Sequence, residues 1–247
     1  MLMKKSIPLL NTKKPERQID LHNYINVSSN YLEMENLYQA AIKEISTKLE
    51  ILDDEFKLKY KRNPIHHIQD RLKSLESIIK KLERKGYEIS IDSAKENLFD
   101  IAGVRVVCSY IEDIYIVADL VKAQDDILLV KEMDYIKNPK PNGYRSLHMV
   151  VKVPVFFSDR KEFVPVEIQI RTMAMDFWAS LEHQLRYKSS GNIPSSIIRE
   201  LKECAETIAS TDLKMQKIYS SLETLEQEEN SLSSNFYSDE QKVIGSI

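Results

Sequence analysis

The sequence predicts an α/β fold: a mixed, largely antiparallel five-stranded sheet flanked by helices, with long helices toward both ends. Two long segments with helical periodicity lie near the two ends of the chain. Between them, five short runs either alternate polar with apolar residues or are almost wholly apolar, as strands are. Ser74 and Gly86 stand where the caps of a helix belong, directly after the first of these runs.

The N-terminal helix is expected near 34–61, because Tyr38, Ile42, Ile45, Leu49, Leu52 and Phe56 step by fours and threes. Residues 1–30 lack such a period and read as a variable or disordered arm. A strand near 64–73 places His67, Gln69, Arg71 and Lys73 on one face. A helix over 74–85 follows, with Ser77, Lys81 and Arg84 one turn apart along it. The run from Asp100 to Cys108 has the length and apolarity of a buried strand, expected at 101–109. A helix near 113–124 and a strand near 127–135 come next. The strand at 144–154 places Tyr144, Ser146 and His148 on one face, with Leu147 and Met149 turned toward the core. The strand at 163–171 puts Glu167, Gln169 and Arg171 on one side and Ile168 and Ile170 on the other. Helices near 174–188 and 195–228 complete the set. The last carries a stripe of Leu201, Cys204, Ile208, Thr211, Met215, Ile218, Leu222 and Leu225, heptad-like and longer than one sheet needs, which suits a helix–helix contact between subunits. Residues 223–247 hold six acids against one lysine and read as a mobile tail. The organisation expected is an arm at 1–30, one domain at 31–230 including the last helix, and a tail at 231–247.

Composition narrows the class. The chain has 247 residues, 43% of them hydrophobic, enough for one domain with a sizeable core. It has no signal-peptide pattern and no long apolar span, so a cytoplasmic protein without a membrane contact is expected. Cys108 and Cys204 read as reduced core residues, not a disulfide pair. Five glycines form neither a G-x-G-x-x-G nor a Walker A loop. The net charge of −3 argues against a DNA-binding surface. Residues 61–90 are the exception, with eight Lys/Arg against four Asp/Glu, which suits a small anionic ligand.

Three clusters carry chemistry. Lys137-Asn-Pro-Lys-Pro-Asn-Gly-Tyr-Arg-Ser-Leu-His148 is a stiff basic loop: Pro139 and Pro141 fix φ, and Asn142-Gly143 is a turn pair. It is either a hairpin loop with solvated lysines or a phosphate cradle. Arg71, Lys73, Ser77 and Lys81 gather at a strand-to-helix junction, either as a solvated basic face or around one anion. Asp100 and Arg105 bracket an apolar run, where charges are unfavourable unless paired or bound. With Glu167 on another strand, Asp100 forms the pair of carboxylates that commonly holds Mg²⁺ beside phosphates.

Taken together, Arg71-Leu-Lys73…Ser77…Lys81, Asp100-Ile-Ala-Gly-Val-Arg105, Asn142-Gly-Tyr-Arg-Ser-Leu-His148 and Glu167-Ile-Gln-Ile-Arg-Thr172 resemble the RelA/SpoT synthetase domain in order and spacing. The likeness covers roughly residues 35–225. Met175-Asp-Phe-Trp-Ala-Ser-Leu-Glu-His183 resembles the single-domain branch, the small alarmone synthetases, and within it the RelP type of Gram-positive bacteria. The resemblance implies a nucleotidyltransferase-like fold, a homotetramer, and transfer of the β,γ-pyrophosphate of ATP to the 3′-hydroxyl of GTP or GDP. It implies that Arg71 and Arg105 sandwich adenine, that Lys73, Ser77 and Lys81 hold the ATP phosphates, and that Asp100 ligates Mg²⁺. Glu167 ligates Mg²⁺ or deprotonates the 3′-hydroxyl, supported by Gln169. Tyr144 stacks on guanine, with Lys140, Asn142, Ser146 and His148 around the acceptor. Asp176 is a guanine reader or an acid placed by the dipole of its helix. Met133-Asp134-Tyr135 stands where long members show Lys-Asp-Tyr, which leaves GTP against GDP open. Nothing resembles the family's His-Asp hydrolase domain, so synthesis without hydrolysis is expected; RNA binding is left open. Two other classes fit the fold: a transferase acting on nucleic-acid ends, and a silent nucleotide- or RNA-binding module.

Overall fold

The computed structural model describes residues 21–60, 62–188 and 193–244. Strands β1 (Ile65–Leu72), β2 (Ala102–Cys108), β3 (Leu128–Asp134), β4 (Leu147–Phe156) and β5 (Lys161–Thr172) form one sheet in the order β1-β2-β5-β4-β3. β2 and β5 run parallel, and the other three neighbouring pairs are antiparallel. This is the mixed, largely antiparallel five-stranded sheet expected.

Alternation gives the sheet two different faces. Val104 and Val106 on β2, Val166, Ile168 and Ile170 on β5, and Leu147, Met149 and Val151 on β4 are all buried. Helix α1 (Leu21–Lys59) covers them with Tyr38, Ile42, Ile45 and Leu49, and α4 (Ile111–Lys122) adds Ile114, Val117 and Val121 to the same cluster. Burying each such side chain contributes about 1.5–3 kcal/mol, so this face is the main source of stability. The register sets polar residues in rows across the other face. One row is Arg71–Gly103–Glu167–Val150 and the next is Gln69–Arg105–Gln169–His148.

Helix α2 (Leu75–Lys85) begins at Ser74, whose hydroxyl accepts the Ser77 N–H, and ends at Gly86 with φ 72°. Both caps match the sequence reading. A short helix, α3 (Ile91–Asn97), was not expected; Ser90 caps it by accepting the Ser93 N–H, and Ala94 and Leu98 are buried. Helices α5 (Met173–Lys188) and α6 (Ser195–Ile244) follow β5. Polar contacts dock α6, among them a bond from Arg145 Nη1 to the Ala205 carbonyl at 3.3 Å. Thr172 Oγ1 donates to Asp212 at 2.5 Å, the Glu112 N–H donates to Gln216 at 3.1 Å, and Trp178 Nε1 donates to the Leu201 carbonyl at 2.9 Å. Arg62, paired through both nitrogens with buried Asp113 at 2.6 Å, lies over Tyr110 and over Tyr219 of α6.

Several expectations are corrected. α1 starts at Leu21, not near 34, so residues 21–30 are helical; no Gly or Pro interrupts Leu21–Lys59. Likewise α6 runs to Ile244, so the tail expected to be mobile is helical that far; its Glu-, Gln- and Leu-rich sequence favours helix. Residues 1–20 of the arm and 245–247 of the tail lie outside the described residues. Cys108 is buried as expected, but Cys204 is exposed. The inward face of α6 is Ala205, Asp212 and Gln216, one position around from the apolar stripe, whose Met215, Ile218, Leu222 and Leu225 are all exposed. β4 starts at Leu147, not at 144, because the preceding loop closes on itself through the Lys140 N–H to the Tyr144 carbonyl and the Gly143 N–H to the Lys140 carbonyl. No described helix is long and apolar enough to cross a membrane.

Candidate active site

The two polar rows line a cleft of ≈ 290 Å³ on the face of the sheet opposite α1, walled by Gln69, Arg71, Lys73, Asp100, Arg105, Glu167 and Gln169. Gly103 sits in the row between Arg71 and Glu167 and keeps this floor open; a Cβ there would stand 3.6 Å from the Arg71 carbonyl oxygen, in ordinary contact.

Asp100 precedes β2 and faces α2. Lys73 donates to its Oδ2 at 2.8 Å, and Lys81 donates to the same oxygen. Burial pushes this carboxyl up, but the two lysines outweigh it and hold it below the usual carboxylate range. Its Oδ1 is buried without a hydrogen-bond partner. Ser77 stands in the first turn of α2, its hydroxyl accepting from Ser74 at 2.9 Å, where helix N–H groups favour anions. Of the set expected to hold phosphates, Lys73 and Lys81 meet on the Asp100 carboxylate, Ser77 bonds to Ser74 at the start of α2, and Arg71 lies exposed along the cleft.

Glu167 is held at both oxygens, by His148 Nδ1 at 3.2 Å and by Gln169 Nε2 at 2.7 Å. Burial opposes its charge, yet His148 and Gln169 keep its carboxyl below the usual range, so it is ionised at neutral pH. His148 Nε2 meets the Tyr144 hydroxyl at 2.8 Å. Arg105 Nη1 lies 3.3 Å from Gln69 Oε1 and 3.4 Å from Asp176 Oδ1. Asp176 thus sits against a guanidinium in the cleft wall, in the first turn of α5.

The residues expected around the acceptor divide in two. Tyr144 and His148 meet edge-on, ring centroids 5.7 Å apart, and Lys140 Nζ lies 4.6 Å from the Tyr144 centroid. Asn142 and Ser146 do not join this cluster. Asn142 holds the loop, accepting the Tyr144 N–H at 3.2 Å and donating to Glu182 of α5 at 3.1 Å. Ser146 is wholly enclosed and donates to the Ile170 carbonyl at 3.1 Å. Gly143 has φ 89°, and a Cβ there would come within 2.5 Å of the Ala205 Cβ, so the loop is pressed onto α6.

Two residues were missed as site members. Arg171 is 2% exposed and donates to Tyr144 Oη at 3.1 Å, Gln169 Oε1 at 2.5 Å and Asp176 Oδ1 at 3.3 Å. The alternation of β5 already put it on the face of Glu167 and Gln169. Tyr135 packs edge-on against His148 and Tyr144 at 5.1 and 6.2 Å and shares Lys140 with Tyr144; the sequence marked its segment, Met133-Asp134-Tyr135, only for acceptor preference.

The oxygen set fits a hard divalent cation. Asp100 Oδ1 is a buried acceptor awaiting a partner, and the Asp100 charge acts on Glu167 across the cleft. Among the described residues no group of three or more His, Cys, Asp or Glu could hold a metal alone. Two carboxylates completed by water and phosphate oxygens are the arrangement Mg²⁺ favours.

The family model described as "Region found in RelA / SpoT proteins" matches residues 70–192, which span both carboxylates and the loop at 137–148. GTP pyrophosphokinase YwaC of Bacillus subtilis is 50% identical over 179 residues, 72% of this chain and 85% of that protein. The crystal structure of small alarmone synthetase 2 from the same species superposes with a TM-score of 0.71 at 45% identity, covering 78% of this chain and 99% of that one. That of small alarmone synthetase 1 bound to its product pppGpp superposes with a TM-score of 0.70 at 37% identity, covering 74% of this chain and 93% of that one. With the fold, the carboxylate pair and its lysines all in place, the chain belongs to the RelA/SpoT family, in its small alarmone synthetase branch.

Proposed function

We propose that the protein transfers the β,γ-pyrophosphate of ATP to the 3′-hydroxyl of GTP or GDP, giving pppGpp or ppGpp and AMP. The observation that carries this reading is the cleft lined by Lys73, Asp100 and an ionised Glu167, with Lys81 reaching the same Asp100 oxygen as Lys73. Small alarmone synthetase 1 of Bacillus subtilis binds pppGpp as its product, which supports the same class of acceptor.

In this reading Arg71 and Arg105 grip adenine from adjacent strands, a task suited to planar guanidinium groups. Lys73, Ser77 and Lys81 hold the triphosphate. Tyr144 offers its ring to guanine, Lys140 supplies charge beside it, and Asp176 accepts from the guanine edge. Asn142 and Ser146 act on the acceptor indirectly, by shaping its loop. Glu167 accepts the proton of the 3′-hydroxyl as that oxygen bonds to the β-phosphorus; the bond from the β-phosphorus to the oxygen of the α-phosphate breaks, and AMP leaves. Asp100 and Glu167 are the residues that would hold Mg²⁺, which when bound neutralises charge on the phosphate oxygens. Positioning and fixed charge supply most of the acceleration in such transfers.

We further place the chain with the RelP type, as a homotetramer of the cytoplasm that makes alarmone without degrading it. The exposed apolar stripe on α6 supports association. The test is direct. The protein is incubated with Mg²⁺, ATP and either GTP or GDP, and the mixture is resolved for AMP and a guanosine penta- or tetraphosphate. AMP formation that depends on the acceptor is expected, and its absence with both acceptors overturns the reading. Purified product returned to the enzyme measures hydrolysis, and light scattering measures the assembly.

A further inference from the structure

We propose that Arg171 is a positioning residue for this reaction, tying the acceptor's tyrosine platform to the Glu167 carboxylate; the proposal rests on the pyrophosphate-transfer reading above. Two chains of hydrogen bonds leave one guanidinium and end on the two oxygens of one carboxylate. The first runs from Arg171 Nη2 to Tyr144 Oη at 3.1 Å, from Tyr144 Oη to His148 Nε2 at 2.8 Å, and from His148 Nδ1 to Glu167 Oε1 at 3.2 Å. The second runs from Arg171 Nη2 to Gln169 Oε1 at 2.5 Å and from Gln169 Nε2 to Glu167 Oε2 at 2.7 Å. Five side chains thus close a ring.

One assignment of protons satisfies all of it. Arg171 donates to Tyr144, the tyrosine hydroxyl donates to Nε2, and an imidazole carrying its proton on Nδ1 donates to the carboxylate. Gln169 accepts from Arg171 through its oxygen and donates to Glu167 through its nitrogen. The orientation of the carboxylate and the tilt of the tyrosine ring are therefore set by the same group.

The placement follows from the strand. Glu167, Gln169 and Arg171 occupy alternate positions of β5, so their side chains rise from one face at intervals of about 7 Å. The planar fork serves Asp176 from Nη1 and Tyr144 and Gln169 from Nη2, a two-nitrogen geometry that the single nitrogen of a lysine does not reproduce. Arg171 is 2% exposed, so it does not reach the substrates itself. A guanidinium kept at so enclosed a position, with Nε buried and unpartnered, is a poor choice for packing alone, since apolar residues commonly replace buried ion pairs without loss of stability.

The test uses the full chain with Mg²⁺, ATP and GDP or GTP, reading AMP release. The parent enzyme must first be active, which tests the function itself. Arg171→Lys is then expected to lower kcat about 10- to 100-fold, as an interaction made in the transition state does when removed. Its Kd for AMPCPP, whose methylene bridge replaces the bond to be broken, should stay within about twofold of the parent's. Tyr144→Phe keeps the stacking ring but cuts one arm, so it should lower kcat about 3- to 10-fold at an unchanged acceptor KM. In a Tyr144→Phe, Gln169→Ala background, Arg171→Lys should add less than about twofold, because both arms are already cut. Parent-like kcat in Arg171→Lys, or in Tyr144→Phe, overturns the proposal. So does an effect of Arg171→Lys that multiplies fully in the double-variant background, which would mark a structural role independent of the ring. Should Arg171→Lys fail to fold, as judged by AMPCPP binding, Tyr144→Phe decides alone.

Discussion

Lys81 reaches from α2 to Oδ2 of Asp100, the same oxygen that Lys73 holds from the end of β1, and the other oxygen of that carboxylate is left buried and unpartnered. Two cations on one oxygen set the pH dependence of this corner of the fold. Burial raises the Asp100 carboxyl, the lysines lower it further than burial raises it, and the net displacement is downward from 3.8. A carboxyl lowered on folding contributes stability that is fully present above its unfolded value and is lost as pH falls through its folded value. Asp100→Asn removes that contribution. The Tm difference between parent and variant should therefore be constant from neutral pH down to the ordinary carboxylate range and shrink below it. Melts between pH 7 and 3 check this; a difference that stays constant to pH 3 would sink it.

Glu167→Gln keeps the shape of the carboxylate and the Gln169 neighbour but removes the proton acceptor. Turnover should fall by about 10²- to 10⁴-fold, the usual worth of a positioned base. AMPCPP binding should persist, since Lys73, Lys81 and Asp100 are untouched. Steady-state rates and calorimetric titration separate the two quantities. Near-parent turnover would remove Glu167 from the proton transfer.

The sheet was legible in the sequence from alternation and apolar runs, and the candidate site from ordered motifs that alternation sets on one face. In β5 every second residue is polar, and the register of β2 and β5 then carries Glu167 and Gln169 into rows with Gly103 and Arg105. Ser74 and Gly86 gave both ends of α2 because capping is local chemistry. What escaped was non-local. Nothing around Arg171 distinguishes a residue buried against Tyr144 and Asp176 from one pointing to solvent. Asn142 and Ser146 were placed at the acceptor by their motif, but Glu182 and the Ile170 carbonyl, distant in sequence, claim their side chains. Cys204 was misplaced because a stripe of apolar residues marked one face of α6, whereas the face that packs is Ala205, Asp212 and Gln216, two of them polar.

Tyr144→Ala removes the platform on which the acceptor base would stack. Stacking on an aromatic side chain contributes about 1–3 kcal/mol, so the KM for GTP or GDP should rise about 10- to 100-fold. The KM for ATP should move little, because the donor residues lie on β1, α2 and β2. Varying each nucleotide at saturating levels of the other decides it; an unchanged acceptor KM would count against the platform.

The close approach of Gly143 to Ala205 would make α6 part of the proposed acceptor site, and this can be tested by compensation. Gly143 has φ 89°, a conformation unfavourable for any residue with a Cβ, and its would-be Cβ lies 2.5 Å from that of Ala205. Gly143→Ala therefore carries two separate penalties, backbone strain of about 1–3 kcal/mol and a steric push of the loop away from the helix. The strain lowers Tm; the push displaces Tyr144, the next residue, and raises the acceptor KM. Ala205→Gly removes the obstructing methyl but not the strain, and a glycine within α6 is itself unfavourable by about 1 kcal/mol. The double variant should therefore regain most of the acceptor affinity while melting no higher than Gly143→Ala alone. Recovery of KM without recovery of Tm distinguishes a loop seated on α6 from a loop that is merely strained, because strain alone predicts that the two quantities fail together and that Ala205→Gly rescues neither.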